Sequence, residues 1–229
     1  MAVLLPLATA TCGAESGQSD TDAPEVPSLR VLYLNFGGVV LSRAETDDAT
    51  TNLTEVDALV GTHPAHAGPF GCEAVGSVVA GHFAPFELEI ACERPAAGPY
   101  TMVIVSSSAA LPDGHDLRWT APSPDCGNTN ESNVGLVEVA PAASLDAQAV
   151  AVAVSHVAGI TYGLDEGHHF PLDLASFDAS PDATWFDMCF PIFDDVSCPE
   201  QNLANCGVED SQNSYVELAA VLGERGRDG

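Results

Sequence analysis

His156-Val157-Ala158-Gly159-Ile160-Thr161-Tyr162-Gly163-Leu164-Asp165-Glu166 closes the longest helical stretch of the chain, and its reading decides the fold. A zinc site on a helix needs two imidazoles one turn apart, with a carboxylate beside the first to act as general base. Here Val157 stands in the place of the base and Ile160 in the place of the second imidazole. Glu166 falls where the third ligand of the longer form of that pattern would stand, with His168 and His169 just beyond it. The frame of a zinc helix is kept while most of its chemistry is missing. The helix itself is expected from Ser144 to Leu164, with Ser144 as N-cap, a run of alanines and Gly163 as the stop.

Working outward, Arg30 to Phe36 alternates in strand-forming residues before Gly37-Gly38 breaks it. Val75, Val78, Val79 and Phe83 recur at helical steps, and Pro85 ends that segment. Phe86–Cys92 and the nearly continuous apolar run Tyr100–Ser106 read as strands, the second more deeply buried. A loop rich in Pro, Asp and Asn is expected from Leu111 to Asn133, followed by a strand at Val134–Val139. After the long helix comes an irregular Asp- and Pro-rich segment, then a capped terminal helix from Ser211 to Gly223. This order predicts an α/β (α+β) domain with a mixed sheet packed against helices.

The 229 residues and 46% hydrophobic content suffice for one good-sized core. Six basic residues against 33 acidic ones give a net charge of −27, which repels nucleic acid and anionic lipid and favours cations or basic proteins. Every basic residue is Arg, so Schiff-base lysine chemistry is excluded. There is no G-x-S-x-G elbow, no Gly-rich phosphate cradle and no deaminase signature. Asn52-Leu-Thr54 and Asn130-Glu-Ser132 are formal glycosylation sequons and are taken as coincidence. The acidic surface reads first as a solubility device, and second as a calcium site built from Asp178, Asp182, Asp194 and Asp195.

Residues 1–28 divide into a short apolar run ending in Thr9-Ala10-Thr11-Cys12 and a polar linker. They read as an export signal, with Cys12 as the lipidated residue of a lipoprotein or as part of an ordinary cleaved leader. The run is too short to span a bilayer, so membrane contact is expected only through a lipid anchor. With Cys12 set aside, Cys72, Cys92, Cys126, Cys189, Cys198 and Cys206 form an even set, as expected of three disulfides in an oxidising compartment. Spacing does not give their connectivity.

Several segments, in order, resemble bacterial secreted metzincin-like (zincin) metalloproteases. Ala151 to His156 with Tyr162-Gly163-Leu164-Asp165 is similar to their active-site helix and the turn after it. Leu32-Tyr-Leu-Asn-Phe-Gly-Gly38 resembles their opening strand, and His82 to Ile90 with Arg94-Pro95 their helix-to-strand passage. Asp125-Cys-Gly-Asn128 resembles a central loop, and Gln212-Asn-Ser-Tyr215 a late segment, so the likeness covers nearly all of 29–229. The resemblance implies a zincin-like fold, His156 as a zinc ligand, Gly163 as the turn glycine and Met188 as a stand-in for the methionine beneath the metal. It implies no base at Val157 and no ligand at Ile160.

Three functions are therefore expected of the domain at 29–229. The first is an exported pseudoprotease with a binding role at the cell envelope, its partner an unspecified protein or peptide. The second is an active zinc peptidase using His156, Glu166 and His168 or His169. The third is an acidic calcium- or protein-binding module. On the plain structural alternative, His156 is a hydrogen-bonded core histidine, His168 and His169 are exposed loop residues, and Asp165 and Glu166 are solvated acids at a helix end.

Overall fold

The apolar run that reads as a buried strand becomes β6 (Thr101–Ser107), the middle strand of the main sheet. Its alternate side chains serve two cores. Val103 and Val105 face one, and Met102 and Ile104 face the other. A strand apolar on both faces is the mark of a sheet covered on both sides. The structure, a computed structural model, describes residues 29–108, 111, 115–141, 143–165, 170–176, 179–193 and 195–226.

On either side of β6 lie β1 (Arg30–Asn35) and β8 (Val134–Val139), with β5 (Leu88–Ala91) beyond β1 and β7 (Leu117–Thr120) beyond β8. The order is β5-β1-β6-β8-β7, in which all neighbours are parallel except the edge strand β7, which runs antiparallel to β8. α1 (Cys72–His82) and α2 (Ala147–Thr161) pack side by side on one face, where Leu32, Leu34, Val75, Val79, Val105 and Val154 meet. The other face is roofed by a small sheet of β2 (Val39–Arg43), β3 (Leu53–Thr54) and β4 (Gly61–His63), whose Leu41, together with Ala49 and Leu59, covers Tyr33 and Tyr100.

The C-terminal third is less regular: a two-stranded ribbon of β9 (Phe190–Pro191) and β10 (Ser211–Gln212), α3 (Pro199–Cys206), and α4 (Ser214–Leu222). Leu218 and Leu222 dock α4 on the main core. All six cysteines beyond Cys12 pair, as Cys72–Cys92, Cys126–Cys198 and Cys189–Cys206. The first ties the start of α1 to the strand it precedes. The other two hold the C-terminal third, one of them across 72 residues to the loop before β8. Among the described residues no helix is long and apolar enough to cross a membrane. Cys12 and the rest of residues 1–28, expected to be an export signal and linker, lie outside the described residues.

Four expectations need correction. α4 begins at Ser214, capped by Asn213, and not at Ser211, because Ser211–Gln212 pairs with β9 as β10. α2 begins at Ala147, capped by Asp146, whose carboxylate accepts from Ala149 N at 2.9 Å, so Ser144 is not the cap. Asp is as good a cap as Ser, and the later start lets Leu145 pack against the core. The stretch expected to be loop from Leu111 to Asn133 contains β7, a four-residue strand held by β8 and by an ion pair between Arg118 and Glu138. α3 arises in the segment expected to be irregular, started by Pro199 and ended by Gly207 at φ +74°.

α2 approaches β8 closely because Gly135 has no side chain: a Cβ built there would overlap Val157 Cγ1. Gly135→Ala is therefore expected to destabilise the protein by about 1–3 kcal/mol through overpacking. Adding Val157→Ala should remove most of that loss. Urea unfolding of the two single variants and the pair measures this, and strict additivity would contradict the contact.

Candidate functional site

α2 is apolar on every side, and each residue from Val150 to Thr161 is buried. A helix buried all round has no solvent face on which to mount an open site. His156 is 4% exposed and sits between two covering elements. On one side its Nδ1 donates to the Leu174 carbonyl at 2.9 Å. A carbonyl oxygen can only accept, so Nδ1 carries the proton. On the other side the indole of Trp119, from β7, lies against the imidazole at a centroid distance of 4.6 Å and a tilt of 59°. The antiparallel edge strand thus delivers a large aromatic onto His156.

Val157 is fully buried against Gly135 of the sheet, and Ile160 is 3% exposed. A carboxylate in the first position would be desolvated without a cation near it, and neither valine nor isoleucine can bind metal or accept a proton. Gly163 turns the chain after α2 at φ +97°, and a Cβ there would stand 2.6 Å from the Asp125 carbonyl. Only glycine combines that left-handed conformation with so close a neighbour. Gly159 has a similar use one turn earlier, where Trp185 lies on the helix and a Cβ would meet its ring at 2.7 Å.

Of the remaining candidates, Met188 is 56% exposed, on the surface. Glu166, His168 and His169 lie outside the described residues, as do Asp178 and Asp194 of the calcium set. Asp182 and Asp195 are both exposed. Among the described residues no group of three or more His, Cys, Asp or Glu side chains could hold a metal ion. His82 and Ser155 do form a pair, with Nδ1 2.8 Å from Oγ, but Ser155 is fully buried and no substrate reaches its hydroxyl. Burial lowers the His82 pKa and so favours the neutral ring.

Sequence reasoning missed part of this region. Asp165, expected as a solvated acid at a helix end, is 1% exposed. Its carboxylate accepts from Ser197 N at 2.6 Å, Cys198 N at 3.2 Å and Asn202 Nδ2 at 2.9 Å. It is the fastening point of the C-terminal third, not a surface charge. Trp119 and Trp185 also escape a reading by motif, although two tryptophans in a chain with few aromatics are a usable signal.

Replacing His156 by Ala should cost about 2–4 kcal/mol, through a cavity and a Leu174 carbonyl left without its donor. Trp119→Ala should cost about 3 kcal/mol on the same ground. The double variant is expected to lose about 1 kcal/mol less than the sum, because the two rings touch. A denaturant double-mutant cycle reads the coupling directly, and zero coupling would separate the two side chains energetically.

With this geometry in place, comparison with known proteins returns nothing: no family model, no curated protein and no solved structure matches the chain.

Proposed function

We propose that this is an exported, disulfide-stapled protein with a zincin-like fold that has lost zinc-dependent peptidase activity and acts by binding a protein or peptide at the cell envelope. The observation that carries the reading is the burial of Val157 and Ile160, at the places of base and second ligand, inside a helix with no exposed face. Catalytic zinc keeps an open coordination position for water or substrate. Here Trp119 and Leu174 flank the imidazole from both sides. A mixed sheet with an antiparallel edge strand beside a long buried helix, and a glycine turn after that helix, fits the zincin-like part of the reading.

Three disulfides fit an oxidising compartment. A lipid on Cys12 would add an envelope anchor, and Cys12→Ser should then release the protein from the membrane fraction. The net charge of −27 favours a basic partner.

A second reading, an active zinc peptidase, draws on one specific contact. Metal-ligating histidines usually donate their other ring N–H to a carbonyl or carboxylate, as His156 does to Leu174. In that case Glu166 and His168 or His169 complete the ligand set.

Metal analysis of the purified protein, with a casein or peptide cleavage assay, decides between them. The expected outcome is zinc well below one equivalent and no chelator-sensitive cleavage. Stoichiometric zinc with cleavage lost in His156→Ala would establish the peptidase instead. A calcium titration followed by Tm is expected to be flat, whereas a saturable rise would favour the calcium-binding module.

A further inference from the structure

α3 is an unusual helix for its position, because Asn202 is its only buried residue and its one large apolar side chain, Leu203, is 48% exposed. It makes no apolar anchor in either core cluster. Disulfides clamp its two ends, through Cys198 to Cys126 and through Cys206 to Cys189. Between those clamps it is held by side-chain amides. Asn202 Nδ2 donates to Asp165 at 2.9 Å and to the Glu209 carbonyl at 3.1 Å. Gln201 is the hub: its Nε2 donates to Glu217 Oε2 at 2.9 Å and to the Gly163 carbonyl at 3.4 Å, while its Oε1 accepts from Gly127 N at 3.0 Å. One side chain thus joins α4, the turn after α2 and the loop before β8.

Glu217, on α4, is 1% exposed, and its Oε1 has no hydrogen-bond partner among the described residues. From α3 it faces the Gln201 and Asn205 amides, and at the start of α4 the Asn213 backbone. From the exit of α2 it faces Asp165, the one charged group acting on it, and that group repels a second negative charge. No cation pairs with it among the described residues. A carboxylate in such a place is costly to ionise, and a carboxylic acid is not.

We propose that a proton held on Glu217 latches α3 and α4 to the body of the protein, and that its loss loosens this seam, making it a pH-responsive element independent of the His156 region. Burial, with Asp165 adding to it, pushes the Glu217 carboxyl up to about 7. An acid whose folded pKa is raised contributes stability that is fully present below its unfolded value, near 4.5, and lost as pH rises through the folded value. The window is therefore pH 4.5 to 7, with a plateau above it. The disulfides keep the loosened segment attached at both ends of α3.

Hydrogen exchange by mass spectrometry on the full chain, corrected for the intrinsic pH dependence of exchange, is the test. Opening of the α3 and α4 amides is expected to increase roughly 50-fold between about pH 5 and pH 8, since inside the window the opening constant rises by up to about tenfold for each step of one in pH. Amides of β6 and β8 should not follow it. In Glu217→Gln, which keeps the Gln201 contact but cannot ionise, the increase should vanish. Equal protection of α3 and α4 at both pH values, or a wild-type response retained in Glu217→Gln, overturns the proposal. Should that variant not fold, carboxyl-carbon NMR of the wild-type protein substitutes for it. A Glu217 midpoint near 7 supports the latch, and one near the ordinary glutamate value rejects it.

Discussion

The contact between Gly135 of β8 and Val157 of α2 sets the rest of the structure. A glycine in a central strand loses β propensity and conformational entropy, and is tolerated where another element must come close. Here it lets the longest helix sink onto the sheet. Once α2 sits that low, its remaining faces are within reach of α1, Trp119, Leu174 and Trp185, and every one of them is covered. The same depth that gives the domain its core leaves each residue from Val150 to Thr161 buried. Position 157 is thereby committed to packing: a side chain that contacts the sheet cannot also face a cleft.

Charge is handled by a different device. With six arginines against 33 acids, the carboxylates as a whole cannot be matched one to one by cations. Several are met by N–H and O–H donors instead. Asp47 accepts from Glu55 N at 2.8 Å and Val134 N at 2.9 Å, so one carboxylate joins the small sheet to the main one. Asp125 organises its own loop through Thr129 N, Asn130 N and Asn133 Nδ2. Asp173 accepts from Ser214 Oγ at 2.8 Å, and Asp165 gathers three donors from α3 and its approach. Backbone and amide donors stabilise a carboxylate as effectively as a cation when two or three converge. Glu217 is the exception, with one amide in good geometry and an acid facing it.

Periodicity makes the central elements legible. β1, α1, β6, β8, α2 and α4 each carry an apolar pattern, set by two cores for the strands and by one for the helices, so the α/β class follows from the sequence, and parity alone gives the three disulfides. β7 is hidden because four residues flanked by Pro, Asp and Asn leave no period to detect, and Trp119 is hidden with it. α3 escapes because a helix held by amides and disulfides has no apolar stripe. At the candidate site, Val157 and Ile160 are visible as identities. Their environment is not, since nothing in the local sequence says that residue 135 touches residue 157. Asp165 misleads for the same reason: an acid after a helix is ordinarily solvated, and only the long-range return of Ser197 and Cys198 buries it.

These devices divide the molecule into two regimes of cohesion. The sheet with α1 and α2 is held by interior packing, where single methylenes matter and water plays no part. The segment around α3 has few large apolar side chains turned inward; Met188, Phe193, Leu203 and Val208 are all exposed, whereas Leu218 and Leu222 dock α4 on the main core. It relies on two disulfides closing loops of 72 and 17 residues. By loop entropy such links are worth about 3 to 4 kcal/mol each in an unstrained protein, as much as a small core would supply. Covalent links limit how far a segment can depart without fixing how tightly it sits. The tightness is left to hydrogen bonds among Asp165, Gln201, Asn202 and Glu217, the part of the fold whose strength depends on protonation. A response to rising pH through the neutral range therefore belongs beside α3 and α4, because there ionisation of Glu217 would bury a second negative charge near Asp165 with no cation among the described residues to meet it.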